Sequence, residues 1–338
     1  MRYISVMEYD SSEPMSLYAD ALAALARIAE RQQLSPVRRP WKVRRFLAER
    51  LALAWIDDTA LDSDAFRVDG RGTISGGAFD LTHWHRAVGA PITLEALMND
   101  APAVLDWLGV EDGPASGIDW HTRSLRRSDI LPRVADWQSQ AKNLSSPPPL
   151  LYGARLAMMW RSRTPIGKGD AVAGFLIGDR HGPGRLSCSF GGLAALGMQL
   201  NGDAWKIADQ AGFDRMWLRA IVTGAQSHLD LELRLRNYAT RASAVIAARR
   251  RTGRLPDVIT MAMANPYVTS RQIADRLGLT SAGAIKLLAI ATEAGLLIER
   301  SGQGSYRNYA IPLAAHLPRA SPKTLFDEMA SQSFWDDE

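Results

Sequence analysis

Val268 to Ala291 reads VTSRQIADRLGLTSAGAIKLLAIA, two short helical patterns joined across Gly278. Helices that meet at roughly 90–120° across a turn of about 3–4 residues need a small residue at the crossing and a turn residue that tolerates φ > 0. Ala274 and Gly278 stand at those two places. The apolar residues Ile273, Leu277, Leu279, Ala284, Leu287 and Leu288 fall on the faces that must pack to hold the second helix out from the domain. That spacing predicts a helix-turn-helix, whose second helix is the element that enters a DNA groove.

The flanks extend the pattern. Leu255 to Asn265 reads as a preceding helix, and Pro266 ends it by disfavouring helix at the residue before it. Thr269 or Ser270 can cap the second helix and Thr280 the third. After Gly295 the chain alternates as LLIER, turns at Ser301-Gly302-Gln303-Gly304 and returns as SYRNYAI, which predicts a β-hairpin. Three helices followed by a hairpin make a winged helix-turn-helix, an arrangement that an ordinary three-helix bundle does not reproduce.

The chain has 338 residues, enough for two or three domains, and its 46% hydrophobic and 22% charged residues suit a globular protein with a sizeable core. No apolar run reaches the ~18 residues that span a bilayer. Glu8, Asp10 and Glu13 lie where a signal peptide would need its apolar stretch. Cys188 is the single cysteine, which excludes an intrachain disulfide and a multi-cysteine zinc site and suits a reducing cytoplasm. The net charge is +4, but Arg241 to Pro312 alone carries +6 and the remainder −2. Positive charge thus concentrates on the motif, as phosphate neutralisation requires.

Along the chain, helical periodicity covers Leu17–Arg31, with Leu22, Leu25, Ile28 and Ala29 on one face, and Trp41–Trp55, with SPVRRP as a loop between them. Asp62–Phe79 predicts a turn or short hairpin around Val68-Asp69-Gly70. Helical patterns return near Leu81, over Leu94–Leu108 and over Ser128–Leu144, with Glu111–Gly117 as a loop, and Ser145 to Pro149 breaks the chain. Leu150–Arg161 and Gly169–Ile177 read as buried helices, Gly178–Gly202 as a glycine-rich passage, and Phe213–Ile246 as one long helix leading to Arg249-Arg250-Arg251. The predicted domains are 1–146, 147–250, 251–312 and a polar, acidic tail at 313–338.

From about Leu150 to Pro312 the chain resembles helix-turn-helix proteins of unassigned function found largely on plasmids of rhizobia and related alphaproteobacteria. The resemblance rests on PPLL at 148–151, LSCSFGGLAALG at 186–197, LPDVITMAMANPYVTSRQIADRLGLT at 255–280 and GQGSYRNYAI at 302–311. It implies a cytoplasmic bacterial DNA-binding protein. A more distant similarity is to the Fic fold, a helical bundle whose members often end in a winged helix. Its signature, HxFx[DE]GNGRxxR, runs without a gap along TPIGKGDAVAGF, Thr164 to Phe175, and matches at Gly169 alone among the defining residues. Thr164 replaces the histidine base, Lys168 the metal-binding carboxylate, and Val172 and Phe175 the arginines, so the resemblance implies a body emptied of nucleotidyl-transfer chemistry.

Other motifs fall short of a site. Gly167-Lys168 lacks the earlier glycine and following Ser or Thr of a phosphate loop. His83 and His85 have no partner ligands nearby, and Asp57-Asp58 and Asp62 to Asp64 read as loop and capping carboxylates. No metal, cofactor or catalytic residue is expected.

The expected fold class is therefore mostly α, a multi-helix N-terminal body of Fic-like kind followed by a C-terminal winged helix-turn-helix. The DNA-reading residues are Thr280, Ser281, Ala282, Ile285 and Lys286, with Ala289 on the same face. Arg271, Arg300, Tyr306, Arg307 and Asn308 are placed at phosphates or the minor groove, and Arg249, Arg250, Arg251 and Arg254 at phosphates. The reading face lacks a bidentate Arg, Asn or Gln, so a homodimer is expected to supply a second half-site. Trp41, Phe46, Trp55, Trp84 and Trp107 are the expected interface aromatics. The function read from the sequence is a sequence-specific DNA-binding transcriptional regulator. The alternatives are a protein-interaction adaptor that uses the winged helix for protein contacts, and a Fic-related enzyme.

Overall fold

A computed structural model describes residues 12–58, 67–68, 74–75, 83–110, 126–145, 147–167, 169–250, 252–300 and 307–313. The described chain is mostly helical: α1 Ser12–Leu34, α2 Arg38–Ile56, α3 Leu94–Asn99, α4 Ala101–Leu108, α5 Arg127–Lys142, α6 Pro149–Arg163, α7 Asp170–His181, α8 Leu193–Asn201, α9 Gln210–Ala247, α10 Leu255–Ala264, α11 Ser270–Leu277 and α12 Ser281–Glu293. Two antiparallel strand pairs accompany them, β1 Arg67–Val68 with β2 Ile74–Ser75, and β3 Ile298–Glu299 with β4 Tyr309–Ala310. The loop expected at 111–117, the wing turn at 301–304 and the tail beyond 313 lie outside the described residues. Two compact units divide the chain, Met1–Leu233 with Thr260–Tyr267, and Arg234–Ile259 with Val268–Glu338.

In the first unit, α6 and α7 lie antiparallel in backbone contact. A Cβ on Gly153 would come within 2.3 Å of the Gly178 carbonyl oxygen. Any side chain there would force the helices apart, so these glycines set the interhelical distance and do not break the helices. Gly197 does the same for α8 against α9, where a Cβ would sit 1.8 Å from the Ala220 carbonyl oxygen. The glycine-rich passage 178–202 contains the last turn of α7, a 3₁₀ turn at Pro183–Leu186 and all of α8.

The core between these helices is aromatic. Trp137 and Trp160 meet edge to face at 5.1 Å, and Phe175 meets Trp205 at 5.4 Å and Trp217 at 5.5 Å. Burying roughly 200 Å² of a tryptophan at about 25 cal/mol per Å² contributes on the order of 5 kcal/mol of transfer free energy. Trp41, Trp84 and Trp107 belong to this core, at 1%, 1% and 8% exposure, while Phe46 and Trp55 are half-buried. For three of the five expected interface aromatics that placement is corrected: burial in their own unit leaves Trp41, Trp84 and Trp107 no free face.

Two local expectations also change. SPVRRP is not all loop, because Arg38, Arg39 and Pro40 already lie in α2; a proline is tolerated in a first helical turn, where its missing N–H has no partner to lose. Leu22 does not share the buried face of Leu25 and Ile28, since it is 40% exposed. Among the described residues no helix is long and apolar enough to cross a membrane.

The second unit contains α11, α12 and the β3–β4 pair. Thr269 closes a capping box on α11: its Oγ1 accepts from Gln272 N at 3.2 Å and its own N–H donates to Gln272 Oε1 at 3.0 Å. Gly278 ends α11 in the left-handed region at φ 62°. Thr280 then caps α12, its Oγ1 accepting from Gly283 N at 3.1 Å. Ile298 pairs with Ala310 and Glu299 with Tyr309, and Val268 bridges Tyr309 from the other side. Tyr238, from the α9 residues of this unit, donates its buried hydroxyl to Leu296 O at 2.8 Å.

Candidate functional site

Helix α12 is divided by burial into two faces. Ala284, Leu288 and Ala291 are buried, whereas Ser281, Ala282, Ile285, Lys286 and Ala289 are exposed, Ile285 at 56%. The exposed positions follow the i, i+3, i+4 spacing of a single helix face. Every residue that sequence assigned to the reading face and that lies within α12 is therefore presented to solvent. Thr280 is also exposed; its oxygen accepts the Gly283 amide, which leaves its proton and one lone pair for a ligand.

The assigned cations are dispersed over the same unit. Arg271, in the first turn of α11, has a side chain 92% exposed and lies 3.8 Å from Asp275; Arg254 lies 2.6 Å from Asp257. Arg300 and Arg250 are exposed and Arg249 half-buried. Arg307 is exposed and lies beside Glu299 at 3.6 Å. Exposed ion pairs of this kind contribute little and exchange readily for phosphate. Asn308 is half-buried, with its carbonyl accepting from Arg300 N. Tyr306 and Arg251 lie outside the described residues.

The loop between α6 and α7, where TPIGKGDAVAGF lies, has another character. Thr164 at φ 43°, Gly167 at φ 94° and Gly169 at φ 82° curl the chain so that Ile166 N and Gly167 N donate to the Asp170 carboxylate at 3.1 and 2.5 Å. Trp160 Nε1 donates to the same carboxylate at 2.8 Å. Burial pushes the Asp170 carboxyl up to about 6 despite these bonds and the nearby charge of Arg133. The amides that could have met an anion are thus filled from within the chain. Lys168 lies outside the described residues, as do the side chains of His83 and His85. Among the described residues no group of three or more His, Cys, Asp or Glu could hold a metal ion.

A third polar cluster is built around two fully buried side chains, Glu49 and His228. Glu49 accepts from Ser189 Oγ at 2.8 Å, Phe190 N at 2.7 Å, Gly192 N at 3.0 Å and His228 Nε2 at 3.1 Å. Burial alone would raise its carboxyl, but the His228 hydrogen bond, the charges of His228 and Arg45 and the Ser189 hydroxyl outweigh it and hold the group below the ordinary range. Burial lowers His228, and its hydrogen bond to Glu49 offsets that only in part. Arg45 lies 4.7 Å over Trp41 and donates to Cys188 O. With Glu49 at 0% and His228 at 1% exposure, no substrate reaches this cluster, and its work is to fix the 188–192 segment at the start of α8. Sequence reading missed it because its members are up to 179 residues apart.

No family model matches the chain, and no curated protein matches it. Among solved structures the chain is similar to a Fic family protein from Desulfovibrio desulfuricans G20, with a TM-score of 0.41 and 14% identity over 88% of this chain and 97% of that chain.

Proposed function

We propose that the second unit is a winged helix-turn-helix that reads duplex DNA through α12, and that the protein acts as a dimeric transcriptional regulator. The observation that carries this reading is the exposed face of α12, with Ser281, Ala282, Ile285 and Lys286 presented while Ala284, Leu288 and Ala291 anchor the helix. In the major groove, Lys286 meets guanine or phosphate, Ser281 meets a base edge or phosphate, and Ala282 and Ile285 meet thymine methyls. The +6 carried by Arg241 to Pro312 supplies the electrostatic attraction. A single face with so few hydrogen-bonding side chains discriminates weakly, which is why two copies are invoked.

Sequencing the genomic fragments retained by the intact protein identifies its site. Ser281→Ala with Lys286→Ala is then expected to reduce preference for that site over random duplex by roughly 10- to 100-fold, since one good base contact is worth about 1–3 kcal/mol. Arg249→Ala with Arg250→Ala is expected to weaken all duplexes alike. Equal losses of preference in the two variants contradict the assigned face.

The rival reading, an adaptor that docks α12 on a protein, is favoured by one observation: Ile285 is an exposed isoleucine between the small residues Ala282 and Ala289. Ile285→Lys separates the two, because it abolishes a protein contact and adds to attraction for DNA. The proposed reading assigns no catalysis to the α6–α7 loop. Thr164 offers no base near neutral pH, and the loop amides of Ile166 and Gly167 are committed to Asp170.

A further inference from the structure

Helix α2 begins against the rules for helix ends. Residues 38–50 contain six basic residues and one acidic residue. The positive end of the helix dipole disfavours cations, and helix starts gain from a capping side chain and early acidic residues. Here the N-cap is Val37, no side chain caps the helix, and its first turn holds no acid.

Three of the six cations have internal work. Arg44 donates to the carbonyls of Ala262, Met263 and Asn265 at 2.7–3.1 Å, and Arg45 and Arg50 are buried. The other three, Arg38, Arg39 and Lys42, are exposed, and their side chains have no ion pair or hydrogen bond to another described residue. Glu232, which takes the Ser35 hydroxyl at 2.6 Å, is buried. Arg31, by contrast, sits in the last turn of α1, where the dipole favours it and no further reason is needed. Arg38 and Arg39 stand in the first turn, where the dipole disfavours them, and neither they nor Lys42 gains an ion pair or hydrogen bond within the described chain.

We infer that Arg38, Arg39 and Lys42 form a second phosphate-binding surface, on the first unit, that grips the backbone of the duplex without reading its sequence. Arg38 and Lys42 are one turn apart and project together, and Arg39 broadens the patch. Duplex DNA is the partner because it offers a dense line of phosphates to cations alone. A membrane surface would call for apolar side chains interleaved with them, but Pro40 and Trp41 are buried. The inference rests on the DNA-binding reading of α12 and deepens it.

The test compares three forms of the full chain on a random-sequence duplex over a range of KCl: the native protein, Arg38→Gln/Arg39→Gln/Lys42→Gln, and the charge-retaining Arg38→Lys/Arg39→Lys/Lys42→Arg. Loss of three phosphate contacts is expected to flatten the log–log salt slope by about 2.7 and to weaken binding roughly 100-fold near 0.15 M salt. The charge-retaining variant should keep the native slope, and the glutamine variant should unfold no earlier than the native protein. An unchanged slope in the glutamine variant, alongside lost site preference in Ser281→Ala/Lys286→Ala, overturns the second surface and leaves the α12 reading standing. Equal flattening in the charge-retaining variant also overturns it. A native protein that binds no duplex sinks both, and one held by anionic vesicles but by no duplex assigns the patch to a membrane and overturns the inference.

Discussion

Replacing Glu49 with alanine is expected to destabilise the first unit by about 3–5 kcal/mol, the cost of removing one member of a buried charged and hydrogen-bonded set. Its carboxylate receives the Ser189 hydroxyl, the Phe190 and Gly192 amides and the His228 imidazole, and lies beside the charge of Arg45. Alanine leaves the buried Gly192 amide and His228 imidazole, and the half-buried Ser189 and Phe190 donors, without their acceptor. A domain is stable by only about 5–15 kcal/mol, so the variant stands near the threshold of folding. Glu49→Gln should lose less, since its amide oxygen keeps an acceptor while giving up the charge facing Arg45. Urea unfolding followed by tryptophan fluorescence reads the difference, and a midpoint in Glu49→Ala equal to the native one contradicts the role assigned to the cluster.

The second large effect is a pH dependence carried by Asp179. Its carboxyl is buried, with neither oxygen hydrogen-bonded at ordinary geometry. Burial first, then the charge of Glu49, push it up to about 7, and Ser189 and Arg180 offset only part. The folded value lies above the ordinary 3.8, so between pH ~4 and ~7 the unfolded chain has released this proton and the folded chain still holds it. Stability from this group therefore falls as pH rises through that window, at about 1.4 kcal/mol per unit, and levels off above it. His181, lowered by burial to about 4, acts in the opposite sense from its ordinary 6.5 downward, as does the lowered His228. Comparing Asp179→Asn with the native chain cancels those contributions. The variant is expected to gain about 2 kcal/mol relative to the native protein between pH 5 and pH 7. A stability difference that stays constant across that range refutes the buried, proton-holding carboxyl.

The parts that sequence made legible are those governed by neighbours along the chain. The capping threonines Thr269 and Thr280 and the left-handed Gly278 mark α11 and α12 to within a residue or two, because caps and turns are local chemistry. Gly153, Gly178 and Gly197 carry no such local mark. They exist for a backbone in another helix, and a glycine-rich composition gave no sign of α8. The Glu49 cluster was illegible for the same reason, since nothing near Glu49 announces His228 or Ser189. Summing charge over everything outside 241–312 gave −2 and hid the basic start of α2 behind distant acids. The exposed face of α12 was legible as a face, because period and burial coincide there.

Duplex binding measured against salt tests the central claim most directly. The native full-length chain is titrated onto a duplex at several KCl concentrations, and log Kobs is plotted against log salt. The account predicts a steep linear fall, about 0.9 in slope for each phosphate neutralised, with the sequence-selected site held above random duplex at every salt. Binding that is flat in salt, or absent at low salt, contradicts it.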